Sequence, residues 1–265
     1  MTNQSKTRNF ILLAGLVFTV TAVMPGQGNN ASVLTGQIQP DKKKDAQEGQ
    51  MPVAIYAASE PTDSVSLNQR RARGSRYDEG KQKHFHVAEH TDAIEELPLN
   101  AHFWWGMPAL PAAQSDVVLL GTVTSANAYL SNDHTGIYSE FSFRVEEVFK
   151  NRDQGPLQSG DSVSVEREGG GVRFQSGRTQ YYSIHKQGMP SAHERYVFFL
   201  KHDEDGQDFL ILTGYRLNDG STFPLDSVDP FTIYEGIPEG AFLKALRHTI
   251  SSSSSALPKE GGRNR

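Results

Sequence analysis

Apolar positions fall into two blocks separated by a long polar interval. The first is the run Phe10-Ile-Leu-Leu-Ala-Gly-Leu-Val-Phe-Thr-Val-Thr-Ala-Val23. The second opens at Asp116 and extends to Lys201, with four short runs rich in Val, Phe and Thr: Asp116 to Ser125, Phe141 to Lys150, Asp161 to Glu168 and Glu194 to Lys201. Gly, Asp, Asn or Pro bound each run, which is how β-strands read. In the first run Val117, Leu119 and Val123 alternate with Val118, Leu120 and Thr122. Both faces are therefore largely apolar, predicting a central strand covered on both sides. Gly121 in its middle predicts a bulge or coil. In the second run Phe141, Phe143 and Val145 share a face, and the phase shift to Val148 and Phe149 predicts another bulge.

Shorter elements complete the pattern. Ser131 to Gly136 reads as a turn by composition. Val172 to Phe174 and Thr179 to Ile184 form a hairpin-like pair around Ser176-Gly177, and Asp208 to Thr213 and Phe223 to Leu225 add two strands. About five to seven closely punctuated strands predict an all-β fold, a barrel or sandwich. Phe242, Leu243, Leu246 and Ile250 recur at helical spacing and predict one C-terminal helix from Glu239 to about Ile250.

This pattern divides the chain into a signal peptide or N-terminal anchor (1–25), a polar, largely disordered linker (26–96), the β-barrel domain with its C-terminal helix (97–250) and a disordered tail (251–265). Lys6 and Arg8 precede the first apolar run and Pro25-Gly26 follow it, the layout of a secretory signal. The run is shorter than the roughly 20 residues of a membrane-spanning helix. Both versions export the chain, to the periplasm or medium if the segment is cleaved. If it is not, the protein is anchored in the inner membrane, touching it only through this segment. Within the linker, Met51 to Ala58 is an apolar island, read as the linker's least polar part rather than as a docking strand.

Composition narrows the chemistry. The 265 residues carry a formal net charge of −5, which gives no global attraction for nucleic acid. The absence of cysteine removes disulfides, thiolate metal sites and a cysteine nucleophile. No Gly-x-Ser-x-Gly elbow is present, and Gly169-Gly170-Gly171 is followed by neither a Lys-Ser/Thr pair nor a helix, as a phosphate loop would require. The chain therefore reads as a non-enzyme with no cofactor. Asp133-His134 and Glu166-Arg-Glu168 are better explained by turn solvation and ion pairs than by acid–base work.

Candidate recognition residues are few. Arg167, Arg173, Arg178, Tyr181 and Tyr182, with Phe174, place cations among aromatics on neighbouring strands, suited to an envelope protein or a glycan. Against this, Tyr181 and Tyr182 alternate, so one points into the core and the other to water. The basic cluster Arg70, Arg71, Arg73 and Arg76 reads as solvated, with an acidic partner as the other option. His84, His86 and His90, with Glu89 or His102, could share a transition metal, which leaves an exported metal-binding protein as an alternative. Trp104 and Trp105 beside Pro108 and Pro111 either seal the core or form an exposed platform, and sealing is favoured.

The succession "SDVVLLGTV", "FRVEEVFKN", "GDSVSVEREGG", "ERYVFFLK" and "FLILTGYRL" resembles uncharacterised exported bacterial proteins with an OB-like barrel of the netrin/tissue-inhibitor-of-metalloprotease type. The resemblance covers Asp116 to Leu225 and implies the barrel. It also implies, as an alternative function, inhibition of extracellular proteases. In characterised relatives that activity rests on an N-terminal cysteine, which this chain lacks.

Overall fold

The computed structural model describes residues 51–57, 63–80, 85–90, 94–97, 104, 106–152, 155–203 and 208–255. The signal segment and the linker before residue 51 lie outside these residues. The elements in order are β1 (Val53–Ile55), α1 (Ser64–Gly74), a 3-10 turn (Ser75–Tyr77) and β2 (Ile94–Leu97). Then come β3 (Val117–Leu130), β4 (Ile137–Asn151), β5 (Ser162–Glu168), β6 (Gly170–Arg173), β7 (Thr179–Ile184), β8 (Arg195–His202), β9 (Phe209–Asn218) and β10 (Ser221–Pro224). A second 3-10 turn (Phe231–Tyr234) precedes α2 (Glu239–Ser255). No helix among the described residues is long and apolar enough to cross a membrane.

The strands form two sheets. The larger has six strands in the order β10-β9-β5-β4-β3-β8, and β8 also pairs with β9. Pairing therefore runs from β3 through β4, β5, β9 and β8 back to β3, but the β5–β9 seam is parallel and only two residue pairs long. The sheet is coiled upon itself without closing as a barrel. The predicted irregularities are present. Register shifts between β3 and β4 fall at Val118/Leu119, Leu120/Gly121 and Val123/Ser125. At Gly121 a Cβ would stand 2.1 Å from the Arg144 carbonyl oxygen, so the close approach at this bulge admits only glycine.

Both faces of β3 are buried, as its double alternation predicts. Val117, Leu119 and Val123 enter one core with Phe141, Phe143, Val165, Tyr196, Phe198 and Met189. Val118 and Leu120 enter the other with Phe199, Tyr215, Phe242, Leu246 and Trp104. Helix α2 thus lies over the sheet, burying Phe242 and Leu246 completely. Trp104 is buried in that core, while Trp105 lies outside the described residues.

The second sheet, β1-β6-β7-β2, corrects the linker expectation. The β6–β7 hairpin is flanked on both edges by short parallel strands, β1 on β6 and β2 on β7. Residues 51–97 therefore contribute two strands and a helix. Strands of three and four residues acquire order from a ready-made hairpin edge, which their own periodicity cannot announce. Helix α1 begins at Asp63, whose side chain accepts the Ser66 N–H at 2.8 Å, and ends with Arg71 and Arg73 in its last turn. The tail is also shorter than expected, because α2 continues through Ser255. The Ser251 and Ser252 hydroxyls donate to carbonyls one turn back, so these serines satisfy their hydroxyls within the helix.

Candidate functional site

The β7–β8 connection folds against β10 and the segment that follows it, leaving a cavity of about 250 Å³ lined by Lys186, Gly188, Met189, Tyr196, Arg216 and Phe223, among others. Arg216 on β9 stands opposite Tyr196 on β8 and opposite Phe223 on β10. Direct cross-strand partners share a face, so the three form one row. The Arg216 guanidinium lies over the Phe223 ring at 5.4 Å. Tyr196 and Met189 belong to the core inside the coiled sheet, so the cavity opens at that core's end.

A buried ion pair braces the cavity from below. Arg167 on β5 donates to Asp226 Oδ2 at 2.9 Å and to the Gly188 carbonyl at 2.7 Å, and Asp226 Oδ1 accepts the Gly188 N–H at 3.1 Å. Both charged side chains are almost wholly buried, which requires this pairing. At Gly188 a Cβ would stand 1.9 Å from the Leu225 carbonyl oxygen. Lys186 has φ 63, in the left-handed region that side chains other than Gly, Asn and Asp seldom adopt. Hydrogen bonds fix it there: its carbonyl accepts the Ser227 N–H at 2.9 Å, and Gln187 N–H donates to Ile184 O at 2.9 Å.

The structure does not gather the five residues singled out from sequence into one patch. Arg167 is the buried brace, unavailable at the surface but directly beneath the cavity. Arg173 and Arg178 are exposed at the turn end of the β6–β7 hairpin, where Arg178 Nη1 donates to the His90 carbonyl at 2.5 Å. Tyr182 is fully buried and its hydroxyl donates to the Ala88 carbonyl at 2.8 Å; burial pushes it up to about 12. Tyr181, on the other face, is half-buried against the opposite core. The alternation therefore removes Tyr182 from any recognition surface. Lys186 and Arg216, which do line the cavity, gave no sequence signal, since each is a lone cation beside a turn or within a strand.

The second missed feature is a charged cluster. Arg73 in the last turn of α1 and Arg76 in the 3-10 turn after it reach four carboxylates on the large sheet and its β8–β9 connection. Arg73 clasps Asp208 with Nε and Nη2 at 2.7 and 2.6 Å and gives Nη1 to Glu140 at 2.9 Å. Arg76 donates to Glu166 at 2.7 Å, to Asp208 at 3.2 Å and to Asp203. Burial pushes Glu166 up to about 7, assisted by Asp208 and Glu140 against the lowering pull of Arg76. Burial likewise raises Glu140. Asp208 is held below its usual range, because the hydrogen bonds and charges of Arg73 and Arg76 outweigh its burial. Above the cluster Tyr77 stacks on Tyr138 at 4.6 Å, and Arg70 lies over Tyr129 at 4.4 Å. The "solvated" arginines at 70, 73 and 76 are thus one docking face of α1.

The histidine readings are partly out of view. His84 and His102 lie outside the described residues, and His90 Nε2 stands 3.5 Å from Glu95. Among the described residues no group of three His, Asp or Glu side chains is placed to hold a metal ion. The Asp133 carboxylate instead caps its own turn, accepting from Ser131, from Thr135 and from the Glu79 N–H. Comparison with known proteins adds no relative: no protein-family model matches the chain, and no curated protein matches it.

Proposed function

We propose that this chain is an exported, non-enzymatic binding module that receives its ligand in the cleft between residues 186–191 and 223–227. One observation carries this reading. Lys186 and Arg216 line one concavity without a carboxylate partner among the described residues, whereas the cations turned toward the protein at Arg73, Arg76 and Arg167 are ion-paired. In a chain of net charge −5, two cations left unneutralised at a braced, aromatic-walled cleft are arranged for an external group. The partner is an envelope protein or a glycan, and nucleic acid is disfavoured by the acidic balance.

The scaffold, in this reading, is the OB-like barrel of the netrin/tissue-inhibitor-of-metalloprotease type. The direct pairing of β8 with β3 and the short parallel β5–β9 contact, which coil the sheet toward a barrel without closing it, support it. Export rests on the charged-then-apolar N-terminus.

Affinity recovery from envelope extract tests the function. Wild-type protein is expected to retain a partner that the double variant Lys186→Gln/Arg216→Gln loses, while Arg173→Ala/Arg178→Ala, at the exposed hairpin end, retains it. Equal recovery by wild type and the cleft variant would sink the proposal.

A further inference from the structure

We infer that the group bound in this cleft is a carboxylate, gripped by Arg216 and Lys186 against an aromatic wall. The inference rests on the binding reading above and adds the chemical class of the ligand.

The rim's own hydrogen bonding supplies the argument. An anion in a loop-lined cleft is commonly held by backbone N–H groups, the arrangement that suits a tetrahedral phosphate. Here four of the rim amides are already engaged. Gly188 N–H donates to Asp226, Ser191 N–H to the Tyr196 hydroxyl, Leu225 N–H to Gly214 O and Ser227 N–H to Lys186 O. Pro190 and Pro224 have no N–H. Of the donors left in the cleft, the strongest are the two cations.

Those cations differ in form. Arg216 offers a planar fork, its Cζ 5.4 Å from the centre of the Phe223 ring, and such a fork matches a coplanar, two-oxygen acceptor. Lys186 is a point charge on the facing loop, its backbone held at φ 63 by hydrogen bonds on both sides, so the root of its side chain is fixed at the rim before any ligand arrives. The brace through Arg167 and Asp226 neutralises itself and fixes the loop without drawing either cation inward. Tyr196, Phe223 and Met189 provide apolar surface beside the charges, suited to a ring or hydrocarbon bearing the carboxylate. A cavity of about 250 Å³ admits a group the size of one residue or one sugar.

Such a carboxylate can come from a sugar acid or from a peptide terminus, and one experiment separates them. The methyl resonance of Met189, assigned with Met189→Leu, is followed in full-length protein during titration with D-glucuronate against D-glucose and with N-acetylphenylalanine against its amide. The acid of at least one pair is expected to shift the resonance saturably while its neutral counterpart does not, and the responding pair identifies the source. Arg216→Gln and Lys186→Gln, both at solvent-accessible positions, are each expected to weaken that binding about tenfold. Equal shifts from acid and neutral members, tighter binding of inorganic phosphate, no shift from any probe, or indifference to both substitutions would overturn the carboxylate assignment. Had affinity recovery still depended on Lys186 and Arg216, the binding reading would survive that result.

Discussion

The Arg76 guanidinium donates to the Glu166 carboxylate at 2.7 Å across 90 positions of sequence, joining the turn after α1 to the middle of the large sheet. Arg76 is about one-fifth exposed and Glu166 is fully buried. The helix itself offers little else: Val65 is 65% exposed, and Gly74 is its one buried residue. Charge and the Tyr77–Tyr138 stack, not an apolar stripe, hold this segment down. Arg76→Met should therefore cost about 3–5 kcal/mol, because Glu166 and Asp203 lose a partner while remaining buried. Arg76→Met/Glu166→Leu should recover part of that loss, since an apolar pair removes the stranded charge. Urea midpoints of the two variants check this; a double variant less stable than the single would contradict it.

The same carboxylate makes stability depend on pH. Glu166 rises from its usual 4.5 to about 7 in the folded protein, chiefly through burial. A raised carboxyl binds its proton more tightly when folded, so its contribution is fully present below 4.5 and is lost as pH rises through 7. Asp208, held low, runs the other way: its contribution is present above its usual 3.8 and lost as pH falls through its depressed value. Glu166→Gln keeps the shape of the neutral form and abolishes the first dependence. Its stability relative to wild type should accordingly rise between pH 5 and about pH 8, read from denaturation midpoints across that window. A constant difference would show that Glu166 does not titrate there.

The large sheet was legible because its signal is local. Alternation on both faces of β3 needs only Val117 to Val123, and the bulge needs only Gly121. Helix α2 was legible for the same reason, since Phe242 and Leu246 repeat at helical period. What escaped depends on partners distant in sequence. The ordering of β1 is decided by β6, more than a hundred residues later, and α1 by carboxylates at 140, 166, 203 and 208. Polar composition argued for disorder at α1, and the apolar island holding β1 reads as linker although it is a docking strand; an already-folded sheet decided both. Of the proposed recognition residues, Arg167 came nearest the cleft, although its burial makes it a support and not a contact. Lys186 and Arg216 become neighbours only when the β7–β8 connection meets β9 and β10.

Lys186 is held at a backbone angle that opposes its side chain, so stability and binding should separate there. Glycine tolerates φ 63 without the steric cost a lysine bears, although it gains more freedom in the unfolded chain. Lys186→Gly should leave stability unchanged or higher by up to about 1 kcal/mol. It should nonetheless lose the partner recovered by wild type, because the cation is gone. Thermal melts and affinity recovery on one preparation test both halves. A variant that is stabilised and still binds would relegate Lys186 to the rim.

Gly188 provides the converse case, where shape and not charge is at issue. A Cβ at this position would fall 1.9 Å from Leu225 O and 3.2 Å from Leu225 Cδ1. Backbone oxygen cannot yield as a flexible side chain does, so the 186–191 and 224–227 segments must part. That movement strains three bonds at once: Arg167 to Gly188 O, Gly188 N–H to Asp226, and Ser227 N–H to Lys186 O. Gly188→Ala should cost about 1–3 kcal/mol as an overpacked site, with more if the Arg167–Asp226 pair is left incompletely satisfied. Adding Leu225→Ala removes the clash at Cδ1 but not the one at the carbonyl oxygen, so it should restore little. Denaturation of both variants, with the Met189 methyl resonance as a local probe of the cleft, distinguishes a parted rim from general loosening. A shift at Met189 with the other methionine methyls unmoved is the expected signature, and uniform shifts throughout would refute the brace as a local support.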